Sequence, residues 1–186
     1  YAGRSDLFEH LAIWKEEKYR ELQGTYPVIS LSFARIKERD YEKTKQKMCE
    51  VLRNIYIKFC YIKDSEKLTD ADRAYYERML EENIKETDAT SSLYQLSDFL
   101  YRYYGKKVII LLDEYDTPMQ EAFVDGYWDE LVAFTRSLFN STFKTNSYLE
   151  RGIMTGITRV SKESIFSDLN NLVVITTTSN QYNTAF

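Results

Sequence analysis

The sequence predicts a layered α/β domain on a mostly parallel sheet, and three observations carry that expectation. Val108-Ile109-Ile110-Leu111-Leu112 is a run of five apolar residues, mostly branched, which suits a parallel strand covered on both faces. Strand-like segments alternate with segments of 3.6-residue periodicity along the chain, the order expected of βαβ units. Gly and Pro are sparse, at 6 and 2 of 186 residues, which argues for long regular elements rather than disorder.

Taken in order, Asp6 to Lys18 has the pattern of a short helix, with Leu7, Phe8, Leu11 and Trp14 on one side. Gly24 and Pro27 bracket a break. Tyr26 to Phe33 then alternates as a strand, with Val28 and Ser30 facing one way and Ile29, Leu31 and Phe33 the other. Met48, Leu52, Ile55, Phe59 and Ile62 recur at helical spacing and predict a helix of about five turns. Thr69 followed by Asp72 resembles a capping box, opening a charged helix from Asp70 to about Lys85. A further helix, capped near Ser92, runs through Leu93, Leu96, Phe99, Leu100 and Tyr103 until Gly105 stops it. The helical stretch between the first two strands, residues 41–104 or so, is long for a minimal βαβ unit and is expected to contain an insertion of two helices.

After the Val108–Leu112 strand, Tyr115 to Gly126 is expected to be a loop, with Pro118 near its start and an Asp125-Gly126 turn. Trp128 to Phe143 predicts an amphipathic helix on Leu131, Phe134, Leu138 and Phe139. Gly152 to Thr155 predicts a short strand, Ser161 to Leu169 a short helix, and Leu172 to Ile175 a last strand.

Composition narrows the function. A net charge of −4 provides no global basic field for nucleic acid, so DNA binding would need a local patch. Cys49 and Cys60 lie eleven positions apart in one expected helix. That spacing separates them by roughly 16 Å, too far for a disulfide. Both are expected to be buried, reduced thiols. His10 stands alone, and no Cys/His metal spacing occurs. No apolar run approaches a membrane span. With Tyr1 in place of Met and an end at Phe186 without a closing helix, the chain is expected to be a fragment of a longer cytoplasmic protein.

The chemistry concentrates where the apolar run meets Asp113 and Glu114. Acids there fall at the carboxyl end of a strand, where open α/β sheets place their ligands. That is the form of a Walker B strand, in which one carboxylate holds the Mg²⁺ of a nucleotide and the next orients an attacking water. Asp116 brings the acids to three within four residues, an arrangement unfavourable unless a cation or an Arg offsets it. Thr155 and Arg159 follow the next strand, where a hydroxyl could position a water and a guanidinium could neutralise charge in phosphoryl transfer. Arg159 alternatively pairs with an acid, and Thr155 alternatively satisfies a turn. Lys106 and Lys107 are most simply a solvated turn. Ser161, Ser164 and Ser167 have no His for a triad.

Residues 108–118, Val-Ile-Ile-Leu-Leu-Asp-Glu-Tyr-Asp-Thr-Pro, resemble the predicted AAA-ATPase-like family of bacterial and archaeal proteins. The resemblance continues through Gly152-Ile153-Met154-Thr155-Gly156-Ile157-Thr158-Arg159-Val160-Ser161 to Leu172, and Tyr26 to Phe33 also fits. It implies a P-loop NTPase sheet of the ASCE/AAA-like type and binding of ATP with Mg²⁺. Asp113 becomes the metal-holding acid, Glu114 the water-activating acid, and Thr155 or Arg159 the sensor. Asp116 belongs to the family's Asp-Glu-Tyr-Asp pattern and is grouped with Asp113 as nucleotide-binding. The family's Gly-Lys-Ser/Thr phosphate loop does not occur in these residues, nor does the PD-(D/E)XK nuclease-like domain that often follows. The sheet is therefore expected to be incomplete. Leu172–Ile175 should be poorly placed or pair directly with the Thr155 strand, leaving an aggregation-prone edge.

Three functions compete on these residues. The first is an ATPase core that drives an attached domain or a protein or nucleic-acid partner. The second is an interaction module that keeps the sheet without the catalysis. The third, a metal-dependent nuclease on Asp113, Glu114 and Asp116, lacks a matching catalytic Lys.

Overall fold

Three parallel strands organise the computed structural model, which describes residues 4–157, 166, 169, 171–176 and 179. β1 (Val28–Ser32), β2 (Val108–Asp113) and β3 (Leu149–Met154) lie side by side in that order. Ser32 is in register with Asp113, and Leu112 with Met154, so all three carboxyl ends meet at one end of the sheet. β1 alternates as its sequence requires, with Ile29 and Leu31 buried and Val28, Ser30 and Ser32 exposed. The central strand is less enclosed than its apolar run suggests. Val108, Ile110 and Leu112 are buried, but Ile109 and Leu111 on the other face are only half-buried.

Three helices connect β1 to β2: α2 (Tyr41–Lys58), α3 (Asp70–Leu80) and α4 (Glu86–Tyr104), preceded in the chain by one short turn of helix, α1 (Glu17–Arg20). Asp40 caps α2 by accepting the Lys43 N–H at 2.9 Å. Thr69 and Asp72 form the expected capping box of α3. That helix stops at Leu80 rather than near Lys85, because Arg53 donates to the Leu80 carbonyl at 2.8 Å and the chain turns extended at Glu81. α4 begins at Glu86, six residues before Ser92, and Ser92 is a buried mid-helix residue whose hydroxyl donates back to the Ala89 carbonyl. Glu86 and Asp88 supply the negative charge that a first helical turn favours. Tyr56 and Tyr76 lock the three helices together: the Tyr76 hydroxyl donates to the Tyr56 carbonyl at 2.7 Å and the Tyr56 hydroxyl to the Ser92 carbonyl at 2.8 Å, all in the core.

Four expectations need correction here. Residues 6–18 do not form one helix; two 3₁₀ turns, Ser5–Leu7 and Ala12–Lys15, precede α1. Leu7 and Leu11 stay exposed, and a short helix with no surface to bury against is marginal. Cys60 lies past the end of α2 and is exposed, while Cys49 is buried; both thiols are free. Residues 115–126 are not a loop. α5 (Thr117–Asp125) occupies them, with Pro118 in its first turn and Gly126 just past its end at φ 84°. The two breakers mark the limits of a helix rather than a turn. Finally, residues 172–175 contain no strand, and Val173 is 80% exposed. Of the two outcomes expected for this segment, pairing with β3 does not form.

α6 (Trp128–Phe139) buries Leu131, Phe134, Leu138 and Phe139 as its periodicity requires, and its last expected turn is a π-helical one, Asn140–Lys144. The helix expected over residues 161–169 lies outside the described residues apart from Phe166 and Leu169. Phe166 is buried, stacked on Phe139 at 6.1 Å. No helix among the described residues is long and apolar enough to cross a membrane.

Candidate functional site

The register of three parallel strands sets the candidate site. Asp113 ends β2 with its side chain in solvent. The Thr155 hydroxyl, one residue past β3, donates to Asp113 Oδ1 at 2.5 Å. From the other side the Ser32 hydroxyl, the last residue of β1, donates to Asp113 Oδ2 at 3.4 Å. Backbone bonds hold this alignment beyond the strands proper. Phe33 N–H donates to the Asp113 carbonyl at 3.0 Å, Thr155 N–H to Leu112 at 2.9 Å, and Tyr115 N–H to Thr155 at 3.1 Å.

The two hydroxyls orient the carboxylate without neutralising it. Asp113 takes part in no ion pair among the described residues. An exposed, oriented carboxylate between neutral hydroxyls keeps its full charge available to a cation.

Glu114 follows in a left-handed conformation, φ 48°, unusual for a residue with a side chain. The chain reverses sharply there, and the half-buried Glu114 carboxylate accepts the Thr117 hydroxyl at 3.0 Å from the first turn of α5. Tyr115 is buried against Phe139 and Phe166. Asp116 is 1% exposed, and its Oδ2 accepts the Gln120 side-chain amide at 3.0 Å. Its Oδ1 lies so close to Gly156 that a Cβ there would sit 2.6 Å away, and 2.8 Å from the Tyr115 ring. Asp116 thus faces inward, wedged between α5 and the turn after β3.

Asp113 and Thr155 are therefore in direct contact, Glu114 is adjacent but held on Thr117, and Asp116 occupies a buried position of its own. Arg159 lies outside the described residues. Ser32 and Thr117 were not singled out from sequence. Ser32 carried a signal, a small hydroxyl residue ending an apolar strand. Thr117 did not, because its segment reads as a loop.

Among the described residues no group of three or more His, Cys, Asp or Glu is placed to hold a metal ion. A fully protein-built cage is thus not what these residues offer. Mg²⁺, however, is commonly held by one or two carboxylates with water and substrate phosphates completing an oxygen shell. Asp113, with Thr155 and Ser32 beside it, supplies that kind of donor set, hard oxygens at the carboxyl end of a central strand.

No curated protein and no solved structure matched this chain. A family model did: an exposed acid closing an apolar parallel strand, a second acid beside it and a Thr at the tip of the next strand fall within the 1–166 span matched by the model described as Predicted AAA-ATPase, and the chain belongs to that family.

Proposed function

We propose that the strand tips form the metal-and-water side of a Mg-ATP site, and that the protein hydrolyses ATP to drive an attached domain or partner. The observation that carries this reading is the exposed Asp113 carboxylate, oriented by Thr155 and Ser32 and opposed by no cation among the described residues. Bound Mg²⁺ would neutralise charge on the transferring phosphoryl group. Asp113 holds the ion directly or through water. Glu114, next along the chain, orients and polarises the attacking water once its carboxylate leaves Thr117. Thr155, whose hydroxyl bonds Asp113, is the residue we assign to report the state of the γ-phosphate. Arg159 is the candidate to offset developing negative charge. Asp116 supports the site from below rather than lining it, since its carboxylate is buried, with Oδ2 on the Gln120 amide and Oδ1 packed close against Gly156. The same burial weighs against a metal-dependent nuclease built on three acids.

One helix suffices to join two parallel strands. We therefore read two of the three helices between β1 and β2 as an insertion on the ATPase sheet. Two free thiols suit a reducing, cytoplasmic setting.

The test compares Mg-ATP binding by calorimetry with steady-state phosphate release. Glu114→Gln is expected to keep binding and slow turnover by about a hundredfold or more, the range for losing a general base. Asp113→Asn should remove the Mg²⁺ dependence of binding. Unchanged turnover in Glu114→Gln removes the role given to that residue. Absence of any Mg-dependent binding by the parent protein favours the interaction module instead.

A further inference from the structure

The corner where α5 meets α6 exposes apolar surface that the fold could have hidden. Met119 and Ala122 of α5 are fully buried, yet Phe123 and Val124 on its last turn are 75% and 79% exposed. The Phe123 ring stands edge-on to Trp128 at 6.0 Å, so the two aromatics form a ledge, with the exposed Val124 next along the same helical turn. Isolated exposed apolar residues need no explanation, but a contiguous aromatic ledge does.

The segment that builds the ledge carries acids and no bases. Glu121, Asp125, Asp129 and Glu130 flank it, and none is in an ion pair among the described residues. Neither Lys nor Arg occurs between Lys107 and Arg136. Elsewhere the surface is mixed: Asp40 is met by Lys43, Glu50 by Lys47, Glu77 by Lys63 and Asp88 by Arg78, while Glu38, Asp64, Glu66, Glu81 and Glu82 also enter no ion pair among the described residues. Burial raises the pKa of the Tyr127 hydroxyl, the Thr44 hydroxyl lowers it, and Asp125, Glu121 and Asp40 add to the rise. Asp129 and Glu130 also suit the first turn of α6 through the helix dipole. The dipole does not account for the missing counter-ions or for the ledge.

We infer that this corner binds a basic amphipathic helix of a partner protein, whose apolar stripe covers Phe123, Val124 and Trp128 and whose Lys and Arg side chains face Glu121, Asp125, Asp129 and Glu130. Aromatic anchors at the centre with charged residues around them are the usual anatomy of such a contact. Complementary charge selects among occupants. Nucleic acid and acidic membrane surfaces are repelled. A second copy docking by this same face would set acids against acids.

The experiment uses two synthetic peptides of identical composition. One forms a helix with Leu on one face and Lys on the other, and the second is scrambled so that no stripe exists. Binding to the full chain is followed by calorimetry at low and high salt. The striped peptide is expected to bind more tightly than the scrambled one, and to weaken with salt. Substituting both Phe123→Ser and Val124→Ser should weaken it at least about tenfold. Both side chains are exposed, so circular dichroism should show an unchanged fold. If it does not, Asp129→Lys with Glu130→Lys replaces that variant, with the same loss expected. Equal affinity for both peptides, or for parent and variant, overturns the proposal. So does a dimer, seen by sedimentation, that dissociates in the Phe123→Ser protein.

Discussion

The helical crossover and the strand tips spend their polar groups in opposite ways. In the crossover, the Tyr56 and Tyr76 hydroxyls end on backbone carbonyls inside the core, and Arg102 bridges Asp72 and Asp98. The two hydroxyls and the terminal nitrogens of Arg102 are thus engaged by other parts of the chain, although Arg102 Nε is buried without a hydrogen-bond partner. At the tips, Asp113 stays in solvent with two neutral hydroxyls, and Glu114 sits in a left-handed conformation. Satisfied polar groups hold the first region together, while groups left available to a ligand define the second. Stability and chemistry are thus separable by mutation.

The largest expected effect falls in the crossover. Tyr76 is fully buried, packs edge-on against Tyr56 at 4.8 Å and stacks on Phe99 at 6.1 Å. Tyr76→Ala should cost about 3–5 kcal/mol, the range for deleting a buried aromatic. Tyr76→Phe removes only the bond to the Tyr56 carbonyl and should cost about 1 kcal/mol. Urea unfolding measures both. A small, equal effect from the two variants would mean that packing at this junction is not what holds the three helices.

A smaller effect depends on pH. Burial opposes ionisation of Asp72, but donors from Arg102 and Thr69 outweigh it and hold the carboxyl at about 2 instead of 3.8. A depressed folded-state pKa means that stability is fully present above the unfolded value. It is lost as pH falls from about 4 through about 2, and amounts to on the order of 2 kcal/mol at neutral pH. Asp72→Asn should lower stability at pH 7 and flatten the acid limb of the urea midpoint against pH. Parallel pH curves for parent and variant would place the acid sensitivity elsewhere.

What could be read from sequence divides along the same physical line. The alternation of β1, the apolar run of β2, the Thr69/Asp72 capping box and the stop at Gly105 are local patterns, and each appears where expected. The contact of Asp113 with Thr155 follows from two strand ends in parallel register. What failed needed long-range information. Residues 172–175 have strand composition but no paired neighbour, and residues 6–18 have a helical stripe of which Leu7 and Leu11 stay exposed. Pro118 and Gly126 punctuate a helix as readily as a turn, so α5 was invisible locally. The burial of Asp116 depends on Gly156, forty residues further along. Ser32 ends an apolar strand with a hydroxyl, but its partner Asp113 follows only from the register of the two strands.

The smallest predicted effect bears most directly on the division between stability and chemistry. If conformational strain is stored beside Asp113, relieving it should stabilise the protein while removing the carboxylate proposed to activate water. Glu114 has φ 48°, a region that glycine enters without a Cβ penalty. Its carboxylate contributes one hydrogen bond, from Thr117, which offsets part of the strain. Glu114→Gly should therefore raise stability by up to about 1 kcal/mol, net of the extra freedom glycine gains in the unfolded chain. Glu114→Gln keeps the strained backbone and an acceptor for Thr117, so its stability should match the parent. Both variants should lose the turnover proposed for Glu114. A Glu114→Gly protein that melts below Glu114→Gln would show that the Thr117 contact outweighs the strain. The tip would then be held by its own hydrogen bonds, as the crossover is.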